Sequence, residues 1–129
     1  MPVQAVSKGV SMSHRKVGVV AALVRNHTVA EALVILEHTP RRSAIPVRKV
    51  IESARANADY NHNYKPDTLR IVSISVSPGP SSKRYRPAAR GRALPFLKRT
   101  SHIRVIVDGE IREAKKPAAK TATKKAEDK

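Results

Sequence analysis

The 129-residue chain carries 26 Lys and Arg against 10 Asp and Glu, a formal charge of +16, with no Cys, no Trp and only Tyr60, Tyr64, Tyr85 and Phe96 as aromatics. That imbalance calls for a polyanionic partner, and the lack of Cys excludes a disulfide framework or a thiolate zinc site. So few rings exclude base stacking as the main mode of nucleic-acid recognition, and a modest core must be filled by Val, Ile, Leu and Ala.

The opening residues alternate Val3, Ala5 and Ser7 with Gln4, Val6 and Lys8, the pattern of an edge strand. They lack the apolar stretch of a secretory signal. Ser13 reads as the N-cap of a first helix with Val17, Val20, Ala21 and Val24 at i, i+3, i+4 and i+7, and Asn26 suits its end. The apolar run there, Val19 to Val24 or Val17 to Val24 with Gly18 admitted, falls far short of the ~20 residues of a membrane span. A soluble, cytoplasmic chain is expected.

Thr28 and Glu31 have the spacing of a capping box, which opens a short second helix to about Glu37 that buries Ala32, Leu33 and Leu36. Thr39-Pro40 repeats a start signal, and a third helix is expected from Pro40 to about Tyr60. Its apolar face is Ala44, Val47, Ile51, Ala54 and Ala58, and Arg41, Arg42, Arg48, Lys49 and Arg55 make the remainder basic. Pro46 falls inside it and predicts a kink, the alternative being a later start. Tyr60 and Tyr64 read as packing against a sheet rather than as a base platform. A polar loop follows from Asn61 to Asp67.

Leu69 to Val76 is rich in β-branched residues, but its apolar phase slips between Ile71 and Ile74, which predicts a β-bulge near Val72 or Ser73. Its antiparallel partner is His102 to Val107, where Ile103, Val105 and Val107 alternate with His102, Arg104 and Ile106. Between them lie residues 77–103, longer than the ~12–15 at which a connection becomes unusual and functional. From Arg70 to Arg104 there are nine Lys or Arg and no acid. Lys83, Arg84, Arg86, Arg90, Arg92, Lys98 and Arg99, punctuated by Gly79, Pro80, Pro87, Gly91 and Pro95, read as a phosphate-binding arm. The excess of Arg favours bidentate phosphate contacts. Folded back on itself, the arm would project roughly 40 Å at ~3.3 Å per residue. It has no apolar face to bury, so what it binds must hold it. Asp108-Gly109 is a turn pair and extended chain follows to Arg112. Residues 114–129, rich in Ala, Lys and Thr without periodicity, are expected to be a flexible basic tail on a single domain spanning 1–113.

His14, His27, His38, His62 and His102 show no metal spacing, and neither a cofactor nor a metal is expected. No nucleophile elbow, phosphate-cradling loop or acidic two-metal cluster is present, so a nuclease or RNA-modifying enzyme is the weakest of three readings. An architectural DNA-binding protein, its Pro-bearing arm in a minor groove, is the alternative to RNA binding.

Lys16-Val17, Val24-Arg25, Ala32-Leu33, Glu52-Ser53-Ala54 with Ala56-Asn57-Ala58, Gly79-Pro80-Ser81, Lys83-Arg84, Gly91-Arg92-Ala93 and the run Lys98 to Ile103 together resemble one known family. It is that of the universal large-subunit ribosomal protein number twenty-two, of bacterial type, and the likeness runs from about Ser13 to Val107. The resemblance implies an α+β fold of three helices packed on a small three-stranded antiparallel sheet with a long protruding β-hairpin. It implies a non-enzymatic structural constituent of the large ribosomal subunit that binds its ribosomal RNA and lines the nascent-peptide exit tunnel. The tip, Ala88, Ala89, Arg90, Gly91 and Arg92, would lie at the tunnel wall beside the nascent peptide and near large-subunit protein four. Arg15, Lys16 and Arg25 would be RNA contacts of the body, alongside those of the arm. Neither a membrane nor a homo-oligomer is implied. Ala88 and Pro95 depart from the family pattern by standing where basic residues are common, and Pro95 removes a ladder donor from the return strand.

Overall fold

The computed structural model describes residues 2–112 as β1 (Val3–Val10), α1 (His14–Leu23), α2 (Val29–His38), α3 (Ala44–His62), β2 (Arg70–Pro87), a 3-10 turn (Ala89–Gly91) and β3 (Ala93–Asp108). The fold is α+β, three helices and one antiparallel sheet in the order β1-β3-β2. The tail expected over 114–129 lies outside the described residues.

β3 is the central strand, and its C-terminal half is the floor of the core. Ile103, Val105 and Val107 are fully buried on one face, meeting Val17, Val20 and Ala21 of α1 and Val47, Ile51, Ala54 and Ala58 of α3 in one apolar cluster. The other face carries His102, Arg104, Ile106 and Asp108, and there Arg104 grips the Gln4 side chain through Nε and Nη2 at 3.1 and 2.7 Å. This is the inside/outside alternation of a sheet with helices on one side.

The phase slip in β2 resolves as expected. Ile71 pairs with Val107 and Ile74 with Val105, so the three-residue step on β2 spans two on β3, and Val72 bulges outward at 57% exposure. Without that extra residue Ile74 would face solvent.

The second helix also begins as its sequence indicates. The Thr28 hydroxyl accepts from the Glu31 N–H at 3.3 Å and the Glu31 carboxylate accepts from the Thr28 N–H at 3.2 Å. Ala32 and Leu36 are buried, while Leu33 is only partly so.

The third helix differs from expectation. It starts at Ala44 rather than Pro40, so Pro46 is its third residue and no kink is needed. A proline there costs little, because the first-turn N–H groups have no intrahelical acceptor. Residues 41–44 instead form a turn in which the Ala44 N–H donates to the Arg41 carbonyl at 2.9 Å. The helix ends at Asn63, left-handed at φ 53°. That reversal separates the two tyrosines. Tyr64 is buried, its hydroxyl donating to Asp108 at 3.5 Å, whereas Tyr60 is 85% exposed and does not pack. Burial first, and then the Asp108 carboxylate, push the Tyr64 phenol above its ordinary range.

The capping box carries a pH signature. The Thr28 hydrogen bonds, the backbone one foremost, with help from His27 at 3.4 Å, hold the Glu31 carboxyl below the ordinary glutamate value. A depressed folded-state value means the stabilisation is present above the unfolded-state value and is lost as pH falls through the folded one. The protection factors of the α2 amides, with the intrinsic exchange rate at each pH divided out, should therefore fall over that acidic window in the wild type. In Glu31→Gln the same window should be flat, and Thr28→Ala should cost about 1 kcal/mol at neutral pH.

Candidate nucleic-acid interface

Beyond Ser101 the sheet becomes a two-stranded ribbon. The β2–β3 ladder continues unbroken in pairing from Ser81↔Arg99 through Lys83↔Leu97 and Tyr85↔Pro95 to Pro87↔Ala93, and among the described residues no third strand pairs with it. All residues from 81 to 87 and from 89 to 99 are exposed. The seven cations expected on the arm are therefore all on its surface, and among the described residues none forms an ion pair. The four ion pairs there, His27–Glu31, Arg48–Glu52, Lys65–Glu110 and Arg112–Asp59, all lie on the body.

Pairing sorts the arm into two mixed faces. Arg84, Arg86 and Lys98 share one with Leu94 and Phe96, while Lys83 and Arg99 share the other with Tyr85, Pro95 and Leu97. The arm's apolar side chains are split between the two faces, so it has no apolar face to bury, as its sequence indicates. The Arg86 guanidinium sits 4.8 Å from the Phe96 ring centroid, a cation–π contact worth about 0.5–1 kcal/mol at an exposed site. At the tip Arg90 and Gly91 are both left-handed, at φ 58° and 68°, and the Ala88 N–H closes the turn on the Arg92 carbonyl at 2.7 Å. Gly91 takes that conformation freely, whereas Arg90 takes it at a cost.

The arm leaves the body through two irregularities that flank a regular β3. In β1 the register slips between Ser7 and Val10, where Gly9 is left-handed at φ 70° and its N–H donates to His102 Nδ1 at 3.0 Å. In β2 it slips between Pro78 and Ser81, and the Thr100 hydroxyl donates to the Pro80 carbonyl at 2.6 Å. Bulges sharpen local twist, so this pair sets the direction in which the ribbon emerges.

The body cations fall in different places. Arg15 and Lys16 are in the first turn of α1, while Arg25 follows that helix and reaches the Ile74 carbonyl of β2 at 3.5 Å. Lys16 converges with Lys98 and Arg99 around an open groove of about 1010 Å³, and the turn before α3 adds Arg41 and Arg42. Among the described residues no acid lines this groove. Arg15 and Arg25 do not reach it. Arg41 and Arg42 were legible in the sequence only as part of a basic helix face, since nothing local links them to residues more than fifty positions away. No set of three metal-ligating side chains occurs among the described residues, and no helix there is long and apolar enough to cross a membrane.

A compact α+β body bearing an exposed, unneutralised basic ribbon defines a polyanion-binding architecture. Residues 5–108 match the family described as Ribosomal protein L22p/L17e, and the chain belongs to that family. It is 48% identical over 112 residues, covering 86% of this chain and 99% of the relative, to large ribosomal subunit protein uL22 of Herpetosiphon aurantiacus. The uL22 proteins of Clostridioides difficile and Clostridium tetani are 48% and 47% identical over 107 residues, 83% of this chain and 96% of each relative. The family is one of structural, non-enzymatic ribosomal proteins.

Gly79 should prove necessary to the arm root. A Cβ there would lie 2.6 Å from Thr100 Oγ1 and 3.2 Å from the His102 ring. Gly79→Ala should therefore break the Thr100–Pro80 hydrogen bond and lower stability by about 1 kcal/mol in denaturant titration. Thr100→Ala should cost a similar amount, and the double variant should fall short of the sum.

Proposed function

We propose that the protein is a structural constituent of the large ribosomal subunit in the cytoplasm, binding large-subunit ribosomal RNA and lining the nascent-peptide exit tunnel with its arm. One observation carries this reading: residues 81–99 hold seven Lys or Arg, all exposed, with no acid and no ion pair among the described residues. A bare ribbon of that kind is at best marginally stable in water, so RNA phosphates packed around it give it both neutralisation and shape. Lys83, Arg84, Arg86, Lys98 and Arg99 serve as contacts along the shaft. Arg90 and Arg92 serve near the tip, and Arg15, Lys16 and Arg25 on the body.

The tip, Ala88 to Arg92, is small apart from its two arginines, which suits a position at a tunnel wall facing the nascent peptide, with large-subunit protein four as a neighbour. The reaction chemistry of the particle lies elsewhere. This chain's role is to hold RNA segments in register through charge.

The test is a salt titration of the purified chain on a large-subunit ribosomal RNA transcript. Binding through Z phosphates should weaken with a log–log slope of about −0.7Z to −0.9Z. Replacing residues 81–99 by an Asn-Gly turn should leave helical circular dichroism and cooperative unfolding intact, because none of those residues joins the core. The same replacement should flatten the slope by about 5 to 6, for seven lost cations. A slope near zero in the wild type, or an unchanged one in the armless chain, would refute the proposal.

A further inference from the structure

We propose that His102 is a protonation-sensitive latch at the root of the arm: its neutral imidazole holds together the two bulges that aim the ribbon, and protonation releases them. The inference rests on the geometry of the root and stands apart from the RNA-binding reading.

His102 lies on the outer face of β3, between both irregularities. On β1, Ser7 pairs with Ile103 and Val10 with Ser101, so Lys8 and Gly9 together stand opposite His102. On β2, Ser77 pairs with it directly, and the register slips just beyond, between Pro78 and Ser81. The ring spans the two strands. Its Nδ1 accepts the Gly9 N–H at 3.0 Å, and its Cε1–Nε2 edge covers Gly79, where a Cβ would fall 3.2 and 3.3 Å from those two atoms. Both neighbours suit glycine, Gly9 through its left-handed φ of 70° and Gly79 because the ring leaves little room for a side chain. In a neutral imidazole one nitrogen donates and the other accepts, and the bond formed selects the tautomer. An Nδ1 that accepts is bare, so the proton resides on Nε2.

A protonated imidazole carries N–H on both nitrogens and has no acceptor left. Two N–H groups would then face each other across the 3.0 Å that now holds a hydrogen bond, and the ring must swing away from Gly9. The surrounding charges push the same way. Among the described residues, those that face the ring by register are Lys8 from β1, Thr100 and Arg104 from β3, and Ser77 and Gly79 from β2, with no carboxylate among them. A charged His102 would be a third cation beside Lys8 and Arg104. Once the ring leaves, Gly9 loses its side-chain acceptor and Gly79 its cover. The Thr100–Pro80 hydrogen bond and the strand ladder then hold the root without the tie across β3. Because bulges set local twist, the direction of the ribbon spreads. The core, built from Ile103, Val105 and Val107 on the other face, is untouched.

The experiment uses the full chain, which has no native cysteine. Val34→Cys and Ala93→Cys carry spin labels that read the distance from body to arm, and an isotope-labelled sample is followed by NMR. At neutral pH a coupling through the hydrogen bond should connect the Gly9 amide nitrogen to His102 Nδ1. Lowering the pH through the titration of His102, followed by its own ring signals, should erase that coupling and broaden the distance distribution with one shared midpoint. The Gly9 amide protection factor, with the intrinsic exchange rate divided out, should fall roughly three- to tenfold over the same range. His102→Asn, whose Oδ1 accepts the Gly9 N–H and does not titrate, should keep the distribution narrow throughout. A proton found on Nδ1 at neutral pH, a distribution that does not change, or a broadening whose midpoint differs from that of His102 would each overturn the inference. So would the same broadening in His102→Asn. The shared midpoint is read without that variant and decides the matter even if the variant does not fold. A flat salt slope on the ribosomal RNA transcript would overturn the proposed function and leave this inference standing.

Discussion

A single strand, β3, must satisfy two environments, and the rest of the molecule is arranged around that demand. From Ser101 onward its inward side chains are fully buried between α1, α3 and the neighbouring strands, so burial of Val and Ile fixes its position. Before Ser101 it pairs, among the described residues, with β2 alone, and residues 93–99 are exposed. Backbone pairing continues across the boundary, but the hydrophobic contribution stops there. Body and arm are thus one covalently continuous sheet held by different forces, apolar burial on one side and, on the proposed reading, external phosphate on the other.

Charge is distributed on the same plan. The acids that form ion pairs among the described residues, Glu31, Glu52, Asp59 and Glu110, are tied to His27, Arg48, Arg112 and Lys65 on the body. These exposed pairs contribute little stability each. Their larger effect is to leave the positive excess concentrated on the arm and its root. A molecule polarised in this way approaches a polyanion arm-end first, since the field of the whole chain orients it before contact.

The parts of this structure that were legible in the sequence are those whose physics is short in range. The Thr28–Glu31 cap could be read because both hydrogen bonds close within three residues. The bulge at Val72 could be read because a slipped phase between Ile71 and Ile74 has one simple remedy. The start of α3 was misread because two local signals competed. Thr39-Pro40 mimics a capped start, but Pro46 is tolerated only within a first turn, and that stronger steric demand moved the helix to Ala44. Tyr60 and Tyr64 were paired by helical spacing, which fails once Asn63 turns left-handed between them. The groove at the arm root was beyond local reading altogether, because Lys16, Arg42 and Arg99 meet only when three elements have folded.

Strand direction has a practical corollary. Val3 pairs with Val107, while Val10 pairs with Ser101 where the ribbon begins, so the N-terminal strand starts at the pole farthest from the ribbon and β3 finishes there too. The Tyr64–Ile111 bridge and the Arg112–Asp59 contact anchor the last described residues near that same pole. On the proposed reading, a fluorescent or affinity appendage joined ahead of Val3 would therefore emerge on the side away from the RNA-bound arm, making that end of β1 the natural handle for tracking this protein.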